Sequence, residues 1–338
     1  MTKDVEFIKN IFRLLDSNKI QYCILRNEQE IISGDAHDID MVVENSNFSN
    51  FSKLLTQQAF QCGWKFNLIM QKENNTMWGV HLFSVESGIP LLLHFDVIDT
   101  YGWNGYSLIS NKKLLEDRKK VGWLYVASDA VQTVTMLFSR LLYHGYIKEK
   151  YRDYILRVFT YNDKVVGSVL AEFLNAELKN FVIAKVKSQE WGVIEENVEN
   201  IRKAICLQLR KKQRSVPIKK IIFKVKRLFR KIGIVVLVNG SATYKKDVSY
   251  QIAERLSRSF GGDYTVICLS QGHQIPRMGI YEKISIRTKL CRGTLYITDI
   301  DCGIKPNVYI SETESLDANQ LSIEVLECLS QKYSGGLV

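Results

Sequence analysis

Short apolar runs separated by polar turns fill the first hundred residues, a pattern typical of a small domain that mixes strands with helices. Apolar residues at helical spacing predict a helix over residues 4–17, and SNFSNFSKLLTQQAF, which opens with capping Ser and Asn, predicts a second. Five strands are predicted, in chain order, at IQYCILR, DIDMVVE, KFNLIMQ, WGVHLFSV and PLLLHFDVID. Residues 1–107 are therefore expected to form one small α/β or α+β domain with a mixed sheet.

The pattern changes to long amphipathic stretches from residue 108, and it changes again from residue 232. Residues 108–209 predict a helical domain. Beyond residue 232, strands are predicted at IGIVVLV, YTVICLS, GTLYITDI and PNVYIS, and helices at KDVSYQIAERLSRSF and DANQLSIEVLECLSQKY. The near-continuous apolar run of IGIVVLV is typical of a central parallel strand. Residues 232–338 are expected to form a three-layer α/β domain, which makes the chain an α/β and α+β multidomain protein.

The excess positive charge is confined to the segment between the last two of these domains. The net charge is +10, and residues 210–231 carry eleven Lys and Arg and no acid, so the rest of the chain sits at 10 − 11 = −1. A protein that follows a nucleic acid backbone usually spreads its charge along a groove. We therefore do not expect nucleic acid as a partner.

Residues 217–231 have the pattern of an amphipathic linker helix with a basic polar side. The apolar positions that fall on one helical side are Ile218, Ile221, Ile222, Val225, Leu228 and Phe229. One interpretation is a helix that lies on an anionic membrane surface. The other is an interdomain helix that packs its apolar side on its own protein.

The remaining composition favours the cytoplasm. No stretch approaches the roughly 18 apolar residues of a membrane span, and the acids of the N-terminal helix make it a poor signal peptide. The seven cysteines occur singly, as expected in a reducing compartment. We predict a cytoplasmic protein, with a peripheral position at the inner membrane face as an extension of that prediction.

The segment GDAHDIDMVVE places two carboxylates one residue apart at the start of a strand. Asp38 and Asp40 share a side of that strand because alternate residues do, and Ile39 turns into the core. Asp96, in LLLHFDVID, is expected on a neighbouring strand, and His94 shares its side. Carboxylates this close repel one another unless a cation lies between them, and Mg²⁺ accepts such ligands. The alternative is the polar edge of an ordinary hairpin.

The Asp-x-Asp pair and the later Asp96 resemble the metal-binding acids of the nucleotidyltransferase fold, the polymerase-beta-like superfamily, over roughly residues 5–105. The resemblance implies that Asp38, Asp40 and Asp96 bind Mg²⁺ or Mn²⁺, with Asp96 also acting as the base for the acceptor. It also implies transfer of a nucleotidyl or phosphoryl group from an NTP to a hydroxyl group, by in-line attack.

One position departs from that family. Arg26 and Asn27, in LRNEQE, stand where the family has Gly-Ser at a helix start that holds phosphate. Arg26 can contact a phosphate through paired N–H donors, although the backbone site of the family is not expected here. Lys148 and Lys150, in HGYIKEKYRDY, can line a phosphate path beside the acids, or they can belong to a solvated helix face.

The segment IVVLVNGSATYKKDVSYQIAERL has the outline of a phosphate-binding loop, with a strand, a turn and a helix. When Lys245 is set at the lysine position of that motif, Asn239 and Tyr244 replace its two glycines and Lys246 replaces its hydroxyl residue. Residues 232–338 resemble a degenerate thymidylate-kinase-like domain that is inactive as a kinase. An unrelated small α/β domain is the alternative.

The combination of these parts resembles a group of bacterial proteins found with surface-polysaccharide synthesis. That resemblance implies a saccharide as the hydroxyl-bearing acceptor. Two further functions stay open: a non-catalytic scaffold or regulator that binds a partner or a membrane, and a nucleotidyltransferase of the antibiotic or toxin type. A nucleotidyltransferase of the antibiotic or toxin type would use the same three aspartates, but it would not account for the kinase-like C-terminal part.

Overall fold

The structure is a computed structural model, and it describes residues 3–36, 38–72, 77–228, 234–239, 241–259, 267–268, 295–298, 307–311 and 318–331. Helices and strands alternate in the first part of the chain. In order, they are α1 (Lys3–Ser17), β1 (Tyr22–Ile24), α2 (Glu28–Ser33), β2 (Asp38–Val43), α3 (Phe48–Gln61), β3 (Lys65–Lys72), β4 (Met77–Glu86), β5 (Ile89–Ile98), β6 (Tyr101–Trp103), β7 (Tyr106–Ile109), α4 (Asn111–Leu115), β8 (Lys119–Val121) and β9 (Leu124–Val126).

Helices dominate the middle of the chain, and strands return after residue 233. The remaining elements are α5 (Asp129–His144), α6 (Glu149–Tyr161), α7 (Asp163–Leu170), α8 (Ala176–Lys187), α9 (Trp191–Glu196), α10 (Val198–Lys212), α11 (Val216–Leu228), β10 (Ile234–Asn239), α12 (Ala242–Ser259), β11 (Ile267–Cys268), β12 (Leu295–Thr298), β13 (Val308–Ser311) and α13 (Ala318–Ser330). The nine strands predicted from the sequence are all confirmed, with ends that differ by a few residues.

The largest sheet is mixed and has seven strands, in the order β3-β4-β5-β2-β1-β9-β8. β1 pairs antiparallel with β2 and parallel with β9. The prediction of a mixed sheet is confirmed. β8 and β9 lie within residues 108–209, which the sequence pattern predicted as helical. They were missed because strands of three residues are too short to show alternation.

The chain forms two compact units, each built from three separate segments. The first consists of Met1–Leu55, Gln71–Trp78 and Phe95–Lys220, and the second of Thr56–Met70, Gly79–His94 and Ile221–Val338. The boundaries predicted at residues 107, 209 and 231 stay predictions.

The first unit has its core around α5, whose buried positions face β1, β2, β7 and the neighbouring helices. Phe138 of α5 and Phe173 are fully buried and meet edge to face, with ring centroids 5.0 Å apart. α5 begins at a cap in which Ser128 Oγ accepts from Val131 N, and it ends at Gly145, whose φ of 83° is the left-handed conformation that glycine adopts without strain.

The second unit contains a four-stranded parallel sheet in the order β11-β12-β10-β13. β10 is central and pairs parallel with β12 and β13, as its apolar run predicted. α12 and α13 contact each other and cover this sheet. Their apolar residues join those of the strands in one buried cluster that also includes Phe83 of β4.

The described part of the chain contains no helix that is both long enough and apolar enough to span a bilayer. The longest described helix, α12, is amphipathic and carries several charges.

Candidate functional site

The two acids of the Asp-x-Asp pair lie on β2, on the side that alternation assigns to them. Ile39 between them is fully buried, whereas Asp38 is exposed and Asp40 is partly buried. β5, which carries Asp96, is the strand next to β2 in the sheet. Both strands are largely apolar and lie side by side within the sheet, so the acids that they carry come close together. We call Asp38, Asp40 and Asp96 the acid cluster.

The structure brings possible metal ligands together at this point of the sheet. Asp38, His94 and Asp96 each offer one ligand atom, and the three atoms lie within 4.8 Å of one another. Two ligands of one Mg²⁺ lie at most about 4.2 Å apart, which is twice the roughly 2.1 Å of a Mg–O bond. The spacing of the two carboxylates is therefore within roughly an ångström of what one shared cation needs.

Asp40 is held differently from the other two acids, because it forms an ion pair with Arg26. Arg26 Nε donates to Asp40 Oδ2 at 2.6 Å, and the two side chains are only 22% and 14% exposed. The register of the sheet explains the pair. Leu25 N donates to Asp40 O at 3.0 Å, so the next residue along the chain leaves β1 beside the Asp40 carboxylate. Arg26 Nη1 also donates to Ser139 Oγ on α5, at 3.3 Å.

The pKa of Asp40 reports on the whole acid cluster. Burial raises this pKa, the charges of Asp38 and Asp96 raise it further, and the guanidinium of Arg26 opposes them. For Arg26, burial alone lowers the pKa, but Asp40 outweighs burial and the pKa is raised. Burial is the largest of these influences on Asp40, and the neighbouring acids add to it.

Asn27, which follows Arg26, has a left-handed backbone conformation. Its φ of 60° and ψ of 28° are left-handed, a region that asparagine tolerates better than most residues. It lies at the cap position of α2, although its side chain does not cap that helix. Instead, Asn27 Oδ1 accepts from Tyr151 Oη on α6, at 3.5 Å.

Lys148 lies at the turn between α5 and α6, where it lines a pocket with Lys150 and Glu195 that contains none of the acids of the acid cluster. Its pKa is lowered by burial first, then by the positive charges of Arg140, Arg26 and Lys150, while Asp40 opposes the change. Gly145 places it there, because α5 ends at that glycine and the chain turns back.

Lys150 pairs with an acid outside the acid cluster. It lies in the first turn of α6, its side chain is mostly exposed, and its Nζ is 3.8 Å from Glu30 Oε1. Surface pairs of this kind contribute little stability, so Lys150 can exchange its partner for a ligand at low cost.

A cavity of about 210 Å³ opens beside the acid cluster. Arg26, Asp40 and Asp96 line one part of it, and the other part is lined by β6 and by the C-terminal half of α5, including Tyr101, Ser139, Arg140, Tyr143 and His144. Sites for drug-sized ligands usually measure roughly 300–1,000 Å³. The cavity is therefore of a size for a phosphate chain or a single ring, with the rest of a larger ligand outside it.

The α5 residues of this cavity were not predicted from the sequence. Ser139 and Arg140 lie in residues 108–209, which were predicted as helical without the ends of the individual helices. The helix end at Gly145 was therefore missed. A glycine followed by polar residues is a common signal for the end of a helix. It would have placed Arg140 in the C-terminal part of α5, before the turn that carries Lys148.

The described residues at the junction between β10 and α12, 239 and 241–246, are arranged differently from a phosphate-binding loop. β10 ends at Asn239 and α12 already begins at Ala242, three residues before Lys245. Ser241 Oγ accepts from Tyr244 N at 3.3 Å, and Tyr244 Oη donates to Ser311 O at 3.3 Å. Asp299 and Asp301, which follow β12 in the sequence, lie outside the described residues.

The comparisons with known proteins give limited information. No family model and no curated protein matches the chain. Two solved structures from Helicobacter pylori are similar in part, each at 12% identity. JHP933 gives a TM-score of 0.30 over 64% of this chain and 96% of that chain. A chain described as a "putative nucleotidyltransferase" gives a TM-score of 0.27 over 59% of this chain and 94% of that chain. At these scores the similarity carries no argument about the fold or the function of this chain.

Proposed function

We propose that the protein is a Mg²⁺-dependent transferase of the nucleotidyltransferase type, which moves a nucleotidyl or phosphoryl group from an NTP to a hydroxyl group. The observation that supports this most directly is the proximity of Asp38 and Asp96, whose ligand atoms lie within 4.8 Å of each other beside a cavity. Three carboxylates with one buried arginine leave net negative charge for a divalent cation to neutralise.

The donor set fits Mg²⁺ or Mn²⁺, since both prefer carboxylate oxygens. Asp38, His94 and Asp96, whose ligand atoms lie within 4.8 Å of one another, would each supply one atom. We propose Asp40 Oδ1 as a further ligand beside them, while Oδ2 keeps Arg26 in place. When bound, the cation would orient the phosphate chain and stabilise the negative charge that develops on it. Asp40 would hold Arg26 next to the metal-binding oxygens. From there the guanidinium could contact a phosphate of the substrate.

The positive charges around the acid cluster support an anionic substrate. Lys148 has its pKa lowered partly by Arg140, Arg26 and Lys150, so an anion that enters among them relieves that repulsion. We propose that Arg26 and Lys148 bind the phosphates, that Lys150 contributes once it leaves Glu30, and that Asn27 shapes the turn that presents Arg26.

The acceptor would be deprotonated by Asp96. In the proposed step the acceptor oxygen forms a bond to the α- or γ-phosphorus of the NTP, the bond to the leaving pyrophosphate or nucleoside diphosphate breaks, and the acceptor proton passes to an Asp96 oxygen. A saccharide hydroxyl of surface-polysaccharide synthesis is our candidate acceptor, by family resemblance alone. NTPs are cytoplasmic metabolites, and we propose a cytoplasmic location on that basis.

The experiment that tests the function is a comparison of the wild-type chain with Asp38→Ala/Asp40→Ala. Release of pyrophosphate or nucleoside diphosphate from each NTP is measured with Mg²⁺ and a panel of hydroxyl acceptors, and Mn²⁺ binding is measured by electron paramagnetic resonance. We expect the variant to keep its circular dichroism spectrum and to lose activity by at least roughly 100-fold. A variant with full activity would contradict the proposal.

A second candidate function is a non-catalytic scaffold or regulator. The specific observation in its favour is the Arg26–Asp40 ion pair, which neutralises one of the three acids without any ligand. Calorimetry distinguishes the two functions, because a scaffold shows no metal-dependent NTP binding at the acid cluster. Metal-dependent binding that Asp38→Ala abolishes would rule out this second function.

A further inference from the structure

Helix α11 presents its apolar side to solvent. Ile218, Ile221, Ile222 and Val225 recur at helical spacing on one side of the helix, and their exposed fractions are 63%, 63%, 49% and 49%. We call these four residues the Ile face. A surface helix normally buries its apolar side against the core. Four exposed aliphatic side chains on one side of a helix therefore indicate a surface that binds a further apolar partner.

The opposite side of α11 is the one that contacts the protein. Val216 is buried, and Lys220, one turn later on the same side, donates to Asn104. At 100° per residue, Val216 and Lys220 lie roughly 150–170° from the centre of the Ile face. Just before the helix, Gln213 donates to Ser107 O at 2.8 Å and accepts from Ser107 N at 3.0 Å. These contacts fix the beginning of α11 with the Ile face outward.

Exposed positive charges occur in the segment that leads into α11 and on α11 itself. No acid occurs between residues 210 and 231. The cations of this segment that the structure shows as exposed are Arg210, Lys211, Lys212, Arg214 and Lys219. We propose that the Ile face inserts into the surface of a bilayer that contains anionic lipids, with α11 parallel to the membrane plane and the cations at the level of the headgroups.

The chemistry of the surface argues against other occupants. A second copy of the chain that met this one through the same face would bring two sets of like charges together. A single-stranded nucleic acid site would need aromatic side chains for stacking, whereas the Ile face is aliphatic. An anionic bilayer satisfies both the apolar side chains and the cations at once.

The test is co-sedimentation of the full-length chain with vesicles. Vesicles of phosphatidylcholine with phosphatidylglycerol are compared with vesicles of phosphatidylcholine alone. We expect binding to the anionic vesicles only, and we expect it to weaken as salt is added. Ile218→Ser/Ile222→Ser should lower the affinity by at least roughly tenfold, because two exposed apolar anchors are removed. Leu207→Ser is the matched control, since Leu207 lies on the neighbouring basic helix α10 and is 66% exposed. It should bind like the wild type.

Several outcomes would overturn the inference. Wild-type affinity in the Ile218→Ser/Ile222→Ser variant would do so, and so would an absence of wild-type binding to anionic vesicles. A wild-type dimer in light scattering that the same variant converts to a monomer would assign the Ile face to a second copy instead. Ile221→Ser/Val225→Ser is the second variant, and it should show the same loss of vesicle binding with an unchanged thermal midpoint.

Discussion

The acid cluster and the β10–α12 junction offer a phosphate group very different surroundings, although the sequence outline at both is a strand that leads into polar residues. At the acid cluster, Asp40 pairs with Arg26, and Asp40 and Asp96 line a cavity. The charges of Arg26 and Asp40 also act on the pKa of Lys148. At the junction, Ser241 already bonds the N–H of Tyr244, and the tyrosine hydroxyl bonds the neighbouring strand. A strand–turn–helix outline therefore has no predictive value for phosphate binding until the partners of its polar groups are known.

The largest expected effect concerns the ion pair that distinguishes the acid cluster. Arg26→Met removes the partner of a mostly buried carboxylate, and we expect it to lower the free energy of unfolding by about 3 kcal/mol. Lys187→Met is the matched control, because the Lys187–Asp163 pair has a similar length of 2.9 Å but side chains that are 38% and 47% exposed. That control should cost about 0–1 kcal/mol.

Chemical denaturation, followed by tryptophan fluorescence, measures both variants. The double variant Arg26→Met/Asp40→Asn should be less destabilised than Arg26→Met alone, since no charge is then left without its partner. If Arg26→Met and Lys187→Met lower the free energy of unfolding by the same amount, the Arg26–Asp40 pair contributes no more to stability than an exposed ion pair. That result would contradict the prediction.

The second prediction sharpens the difference in phosphate binding. Lys148→Met should weaken NTP binding by roughly 10- to 100-fold, because it removes a charge-assisted contact. Lys203→Met, on the exposed side of α10, should leave the affinity unchanged. The NTP affinity of the wild type should fall as pH rises through the lowered pKa of Lys148, since the lysine then loses its proton. The affinity of Lys148→Met should not show this decrease. Titration calorimetry at several pH values measures all three chains.

The smallest expected effect lies at the β10–α12 junction. Tyr244→Phe removes one hydrogen bond to Ser311 O, which should cost about 0.5–1.5 kcal/mol of stability. NTP affinity should stay at the wild-type value, because the acid cluster is untouched. A change in NTP affinity similar to that of Lys148→Met would show that the junction takes part in binding, contrary to the comparison.

Much of the fold follows from the sequence because long apolar runs leave few choices. β2 and β5 are apolar over most of their length, so both were predicted as strands, and the alternation of Asp38, Ile39 and Asp40 fixed which side each residue takes. The pairing of Arg26 with Asp40 did not follow, because it depends on the register between β1 and β2, which local patterning does not specify.

The surroundings of the acid cluster were harder to predict than the acids themselves. Arg140 approaches Lys148 only because α5 ends at Gly145 and the chain reverses there. The outward orientation of the Ile face depends on contacts of Val216, Gln213 and Lys220, which are spread over two turns and involve residues more than a hundred positions earlier. Helical periodicity revealed that α11 has an apolar side, but it gave no information about the direction in which that side points.

The discontinuity of the second unit has a consequence for synthesis on the ribosome. Phe83 belongs to the same buried cluster as Val236, Ile310 and Leu326, which are translated more than 150 residues later. At roughly 5–20 residues per second, the nascent chain waits on the order of ten seconds or more before those partners emerge. Until then the segment around Phe83 is a natural client for chaperones. Any shortened version of this protein should be designed with both halves of that cluster retained.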